Sequence, residues 1–160
     1  MPTNTGRLNS INVSIEKMIR QLNAADYPRL MEIWESAVRR THHFLKEEDF
    51  LYYKERVPTY FPYVALYGAE EDGRVEGFLG VSEDNIEMLF VDADRRGQGI
   101  GRSLLGYAVE QLGMKKVDVN EQNAQAVGFY EHMGFRTVAR SERDGDGKDY
   151  PLLHMRLGEE

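Results

Sequence analysis

Four side chains in this sequence combine proton-transfer chemistry with a suggestive setting: Tyr130, Glu87, His42 and His43. Tyr130 follows Phe129 in a helical stretch; its phenol, with an ordinary pKa near 10, is protonated at neutral pH and can donate to a leaving group. The same ordinary value predicts that activity falls at high pH as Tyr130 ionises. Glu87 interrupts the apolar run NIEMLFV (85–91), where a buried carboxylate is costly unless it is paired or used as a base. His42 and His43 end the first long helical stretch, and an imidazole with a pKa near 6.5 suits base work. Each has a plainer reading beside it: a packing tyrosine, a solvated strand-end glutamate, two surface histidines. His154, on the last strand-like run, reads as structural. The adjacent histidines lack i,i+4 spacing and partner ligands, so no metal site is expected.

A second constellation lies at VDADRRGQGIGRSLL (91–105), with glycines at 97, 99 and 101. The β-favouring run before it reads as a strand. After it, Leu104, Leu105, Ala108, Val109 and Leu112 recur at helical spacing and Gly113 suits a C-terminal cap. A strand, a glycine loop and a helix start aim bare backbone N–H groups at one point, and the helix dipole adds positive potential there. Its natural guest is a phosphate or diphosphate. A dinucleotide G-x-G-x-x-G does not fit, because the sixth position is Arg102 or Leu104, and no Gly-Lys-Ser/Thr follows at Walker spacing. Three glycines in five residues also exceed what one turn needs.

The elements that must position these groups follow from patterning. The 160 residues, 41% hydrophobic and 29% charged, predict one globular domain. The strand-like and helical stretches call for an α/β (α+β) layered fold: a central mixed, mostly antiparallel sheet of about seven strands flanked by about four helices. Residues 1–17 read as a leader, and 18–160 as the domain. KMIRQL (17–22) reads as the first strand, with Asp26 capping a helix whose buried stripe is Leu30, Ile33, Trp34, Ala37 and Val38. A second helix over 47–57 is expected to stop before Pro58. Three strands follow through residue 91, turned at Asp72-Gly73 and at a Ser-Glu-Asp turn. Then come the glycine loop with its helix, a strand at 116–120, a helix at 123–133 ending at Gly134, and two closing strands.

With no cysteine, disulfides, thiolate metal sites and a cysteine nucleophile are excluded, and a cytoplasmic location is expected. No run approaches a membrane helix and no signal peptide is expected, so no membrane partner is expected either. A net charge of −7 argues against a nucleic-acid partner and suits a cationic substrate.

Arg96-Gly97-Gln98-Gly99-Ile100-Gly101 resembles the R/Q-x-x-G-x-G/A signature of the GNAT N-acetyltransferase superfamily. A second block, NEQNAQAVGFYEHMGF (120–135), is similar to that family's N-x-x-A-x-x-F-Y-E-x-x-G-F through Asn123, Ala126, Phe129, Tyr130, Glu131, Gly134 and Phe135. The likeness runs from about residue 18 to 157 and includes THHFL (41–45), as in small bacterial acetyltransferases.

The resemblance implies a GNAT-like single domain with acetyl-CoA between the fourth and fifth strands. Its diphosphate would be held by Arg96, Gly97, Gln98, Gly99, Ile100, Gly101 and Arg102, with the Ser103 hydroxyl assisting. Its pantetheine arm would pair with the backbone of Leu89, Phe90 and Val91. Asn123, as cap, would also meet that arm, and Asn120 is a secondary contact. The implied reaction is direct transfer of acetyl to a primary amine in a ternary complex. Tyr130, close to the thioester sulfur, would protonate the leaving thiolate, and Glu87, His42, His43 or water would be the base. A non-catalytic acetyl-CoA-binding sensor of the same fold is the alternative. The acceptor pocket would come from the first two helices and the loop between the last two strands; the aromatic residues Phe44, Phe50, Tyr52, Tyr53, Tyr60, Phe61 and Tyr63 would either line it or belong to the core. A homodimer is compatible with this reading.

Overall fold

In the computed structural model residues 18–158 are described, so the expected leader over 1–17 lies outside the described residues. The alternating run after residue 64 forms an antiparallel meander: β2 (Ala65–Glu71), β3 (Arg74–Ser82) and β4 (Asn85–Val91). Asp72 and Gly73 have φ of 52° and 79°, the left-handed pair that a tight hairpin turn requires. β1 (Ile19–Gln21) pairs antiparallel with β2. After β4 come β5 (Lys116–Asn120), β6 (Phe135–Ser141) and β7 (Leu152–Leu157), giving a seven-stranded sheet in the order β1-β2-β3-β4-β5-β7-β6. Among the described residues only β4 and β5 run parallel, so the mixed, mostly antiparallel sheet is as expected.

Four helices cover it: α1 (Tyr27–Thr41), α2 (Glu47–Tyr60), α3 (Ile100–Glu110) and α4 (Ala124–His132). The α1 stripe buries Leu30, Ile33, Trp34, Ala37 and Val38, as its spacing predicts. With Phe50 and Phe61 they pack on Phe78 and Met88, forming one core layer. Leu104, Leu105 and Ala108 of α3 and Tyr130 of α4 pack on Leu79, Ile86 and Val117 across the sheet, forming the other. Each fully buried leucine or isoleucine contributes about 1.5–3 kcal/mol. Among the described residues no helix is long and apolar enough to cross a membrane.

Two local expectations are corrected. Pro58 does not stop the second helix, which continues to Tyr60. It lies in the last turn, where one lost hydrogen bond, to Lys54 on the exposed side, is tolerated. Asp26 makes no side-chain cap for α1. Instead Asn23 and Asp26 form a capping box around a short 3₁₀ turn, and Arg20 grips the Asp26 carboxylate at 2.9 Å.

A bulge sets which way the β4 side chains face. Gly80 pairs with Met88 and Val81 with Ile86, leaving Glu87 without a partner on β3. The extra residue reverses the side-chain alternation, so Ile86 joins one core layer and Met88 the other. The β4–β5 ladder consists of two register pairs, Asn85–Lys116 and Ile86–Val117. Beyond them the two strands part.

Candidate active site

The gap between the upper ends of β4 and β5 opens into a cleft of about 350 Å3. Leu89, Phe90 and Val91 form one wall; Asn123, Gln125, Ala126, Phe129 and Tyr130 form the other. Gly97, Gly99, Ile100, Gly101 and Arg102, with Arg95 and Arg96, close one end. Ala37, Thr41 and His42 from the end of α1 close the other. Gly97 and Gly99 have φ of 77° and 84°, which glycine adopts without strain. Gly99 caps α3, and its carbonyl accepts from the Ser103 N–H at 3.0 Å. The N–H groups of Ile100, Gly101 and Arg102 in the first turn therefore remain free of the helix ladder. That is an anion cradle beside Arg96 and Arg102, with Arg95 engaged by Glu71 and by Glu76 at 3.5 Å, and it fits the diphosphate of coenzyme A.

An ion network holds this loop from behind. The Arg29 guanidinium reaches Glu76 at 2.7 Å, Asp92 at 2.8 Å and the Val75 carbonyl at 2.8 Å. Asp92 accepts from the Asp94 N–H, and the Ser36 hydroxyl accepts from the Ala93 N–H at 2.9 Å. Burial works against the Asp92 carboxylate, but the Asp94 N–H and Arg29 outweigh it and hold its pKa below the usual range. The loop entrance is thus pinned to α1 and β3.

Tyr130 is buried, yet it lines the cleft. Its ring sits edge-on between Phe129 and Phe135, and among the described residues its hydroxyl has no hydrogen-bond partner. Burial raises its pKa well above the ordinary phenol value. The expected high-pH loss of activity is corrected accordingly: the proton stays on Tyr130 well beyond pH 10. Asn123 is confirmed as a cap, accepting from the Ala126 N–H at 3.2 Å.

The base candidates separate. Glu87 is exposed, not buried; it accepts from the Asn85 amide at 2.9 Å and lines a different groove with Lys116, Asp118 and His154. The burial argument for it therefore fails, because the bulge turns it out of the apolar run. His43 points to solvent. His42 lines the cleft half-buried, with Nδ1 2.7 Å from the Thr41 hydroxyl. Burial first, then the neighbouring His43, lower its pKa to about 4. Gln98, Ser103 and Asn120 lie outside the cleft lining. His154, on β7, is held between Asp118 at 2.7 Å and Ser141 at 2.6 Å.

The loop between β6 and β7 is latched onto α2. Tyr150 donates to Asp49 at 2.5 Å, Tyr60 to Asp146 at 3.0 Å, and Tyr53 to Asp144. Phe44 packs between His42 and Tyr150 with its ring tilted to both. Of the aromatic residues weighed for this pocket, Phe50 and Phe61 belong to the core and Tyr63 is 82% exposed. Among the described residues no cluster of three or more His, Asp or Glu is placed to hold a metal.

His42 carries a pH signature. The unfolded chain binds its proton near pH 6.5, the folded chain only near 4, so stability falls as pH drops through that window. We expect a loss of about 1–2 kcal/mol between pH 6.5 and 4.5 that His42→Gln removes. Urea midpoints of both proteins at the two pH values measure it; equal losses would refute the assignment.

An anion cradle beside a split between parallel strands, with a buried phenol in the split, suits a coenzyme-A-dependent acyltransferase. The chain belongs to the GNAT acetyltransferases: the model for the acetyltransferase (GNAT) domain matches residues 35–157. A peptidyl-lysine N-acetyltransferase of Salmonella typhimurium strain LT2, YjaB, is 39% identical over 138 residues, covering 86% of this chain and 95% of that protein. The solution structure of apo-form YjaB from Escherichia coli superposes with a TM-score of 0.81 at 37% identity, over 87% of this chain and 95% of that one. The fold is shared with YncA of Salmonella typhimurium, determined with its cofactor acetyl-CoA, at a TM-score of 0.58 and 22% identity over 87% and 91% of the chains. The activity is acetyl-CoA-dependent N-acetylation.

Residues that sequence reasoning missed are Thr41, Gln125, Arg95 and the network of Arg29, Ser36, Glu76 and Asp92. Glu76 and Asp92 had a readable signal, since one is a carboxylate inside an apolar strand and the other directly follows one. Their partner Arg29 lies 47 and 63 positions away.

Proposed function

We propose that the acceptor is the ε-amine of a lysine in a peptide or protein, acetylated directly in a ternary complex. The observation that carries this reading is that Tyr130 and His42 line the same cleft as the glycine loop. Acetyl-CoA brings the activated thioester. The loop from Arg96 to Arg102 holds its diphosphate, and Leu89–Val91 orient its arm. Tyr130 keeps a proton at its phenolic oxygen for the sulfur. His42, neutral at working pH, takes a proton from the amine at an imidazole nitrogen; Glu87 and His43 are set aside by their exposure. The phenylalanines and apolar strand residues exclude water. Without cysteine there is no acetyl-cysteine stage, and the chain suits a reducing cytoplasm. The net charge of −7 favours approach of a cationic acceptor. The likeness to the peptidyl-lysine N-acetyltransferase YjaB supports the same acceptor class.

Release of CoA thiol, measured with lysine peptides blocked at the α-amine, small polyamines and amine antibiotics, tests this. We expect turnover on the blocked lysine peptides. Turnover only on the small amines would replace the acceptor class. Coenzyme A binding without thiol release on any amine would favour a sensor.

A further inference from the structure

Thr41 is the last residue of α1, and its side chain lies in the cleft lining beside His42. Its hydroxyl donates its one proton to the Ala37 carbonyl, one turn back, at 2.8 Å. The same oxygen is 2.7 Å from His42 Nδ1. With the hydroxyl proton committed to Ala37, only a lone pair remains for the imidazole, so Nδ1 must carry the hydrogen. In a neutral imidazole the other nitrogen is then the acceptor. Among the described residues no protein group hydrogen-bonds Nε2.

We infer that Thr41 is a positioning residue that locks His42 in the Nδ1–H tautomer, leaving Nε2 as the basic atom for the acceptor amine. The inference rests on the proposed role of His42 as base. The helix end does the selecting: the Ala37 carbonyl has a second lone pair beyond its ladder bond, takes the Thr41 proton and thereby fixes the direction of the next hydrogen bond. The His42 backbone is held as well, its N–H on the Val38 carbonyl at 2.8 Å and its carbonyl on the Leu45 N–H at 3.0 Å. Ring, backbone and tautomer are all fixed from the protein side.

The test uses the full chain labelled with nitrogen-15 in histidine. Ring nitrogen shifts at neutral pH should show Nδ1 protonated and Nε2 bare in the wild type and in Thr41→Ser. Thr41→Val keeps the shape and removes the acceptor, so the preference should be lost. With a competent acceptor, Thr41→Val should lower kcat about 3–10-fold, the kinetic equivalent of one neutral hydrogen bond, with KM for acetyl-CoA unchanged. Thr41→Ser should restore the rate. In a His42→Gln background the Thr41→Val effect should vanish. Nε2 protonated in the wild type, or Thr41→Val with native tautomer and rate, would overturn the inference. Full activity of His42→Gln would instead overturn the role of His42 as base.

Discussion

Gly101→Val should yield a folded protein that no longer holds coenzyme A. A Cβ at Gly101 meets Val91 Cγ2 at 3.6 Å and Phe129 Cζ at 3.9 Å, ordinary contacts, and the backbone there is not left-handed. The fold therefore accepts the side chain, while its methyl groups stand where the diphosphate must approach the free N–H groups. Each hydrogen bond to a charged group contributes about 1.5–3 kcal/mol, so losing two weakens binding about 10²–10⁴-fold. Gly99→Val is a poorer probe: at φ 84° a side chain adds about 1–2 kcal/mol of backbone strain. Titration calorimetry beside a thermal melt checks the result. Native affinity in folded Gly101→Val would remove the diphosphate from this loop.

Tyr130→Phe is expected to act on rate and not on binding. The ring packing on Phe129 and Phe135 survives and only a hydroxyl is lost, so melting temperature and acetyl-CoA affinity should stay near wild type. Loss of a general acid lowers turnover about 10²–10⁴-fold, and a thiolate leaves readily enough to place this case near 10². The loss belongs in kcat, since the proton is needed as the C–S bond breaks. Burial raises Tyr130 above the ordinary phenol value, so the wild-type rate should show no decline from this group up to about pH 10. Rates at saturating acetyl-CoA, under conditions where chemistry limits turnover, decide it. Unchanged turnover would remove Tyr130 from the reaction.

The glycine loop and the tyrosine were legible because each is a local pattern. Gly97, Gly99 and Gly101 announce left-handed or closely approached backbone, and Asn123 to Tyr130 announce a capped helix whose spacing presents Tyr130 inward. The seven strands followed from alternation and turn residues in the same way. The burial expected for Glu87 from its apolar neighbours is absent, because the bulge between Ile86 and Met88, marked by neither glycine nor proline, turns it outward. Pro58 was misread because a helix-breaking residue costs little in a last turn. The Arg29 network and the loop latched onto α2 join residues far apart in sequence; which carboxylate meets which cation is set by packing, and no local pattern encodes it.

The short ladder between β4 and β5 couples the enzyme's endurance to its supply of acyl donor. Past Ile86 and Val117 the chain itself does not stitch the two halves of its sheet together. A ligand arm bound between the parted strands would bridge one half to the other. Whatever binds only the folded form stabilises it by mass action, about 2.7 kcal/mol at a hundred times its dissociation constant. Saturating acetyl-CoA should therefore raise the melting temperature and slow proteolysis of this protein, and a melt with and without the ligand measures the difference.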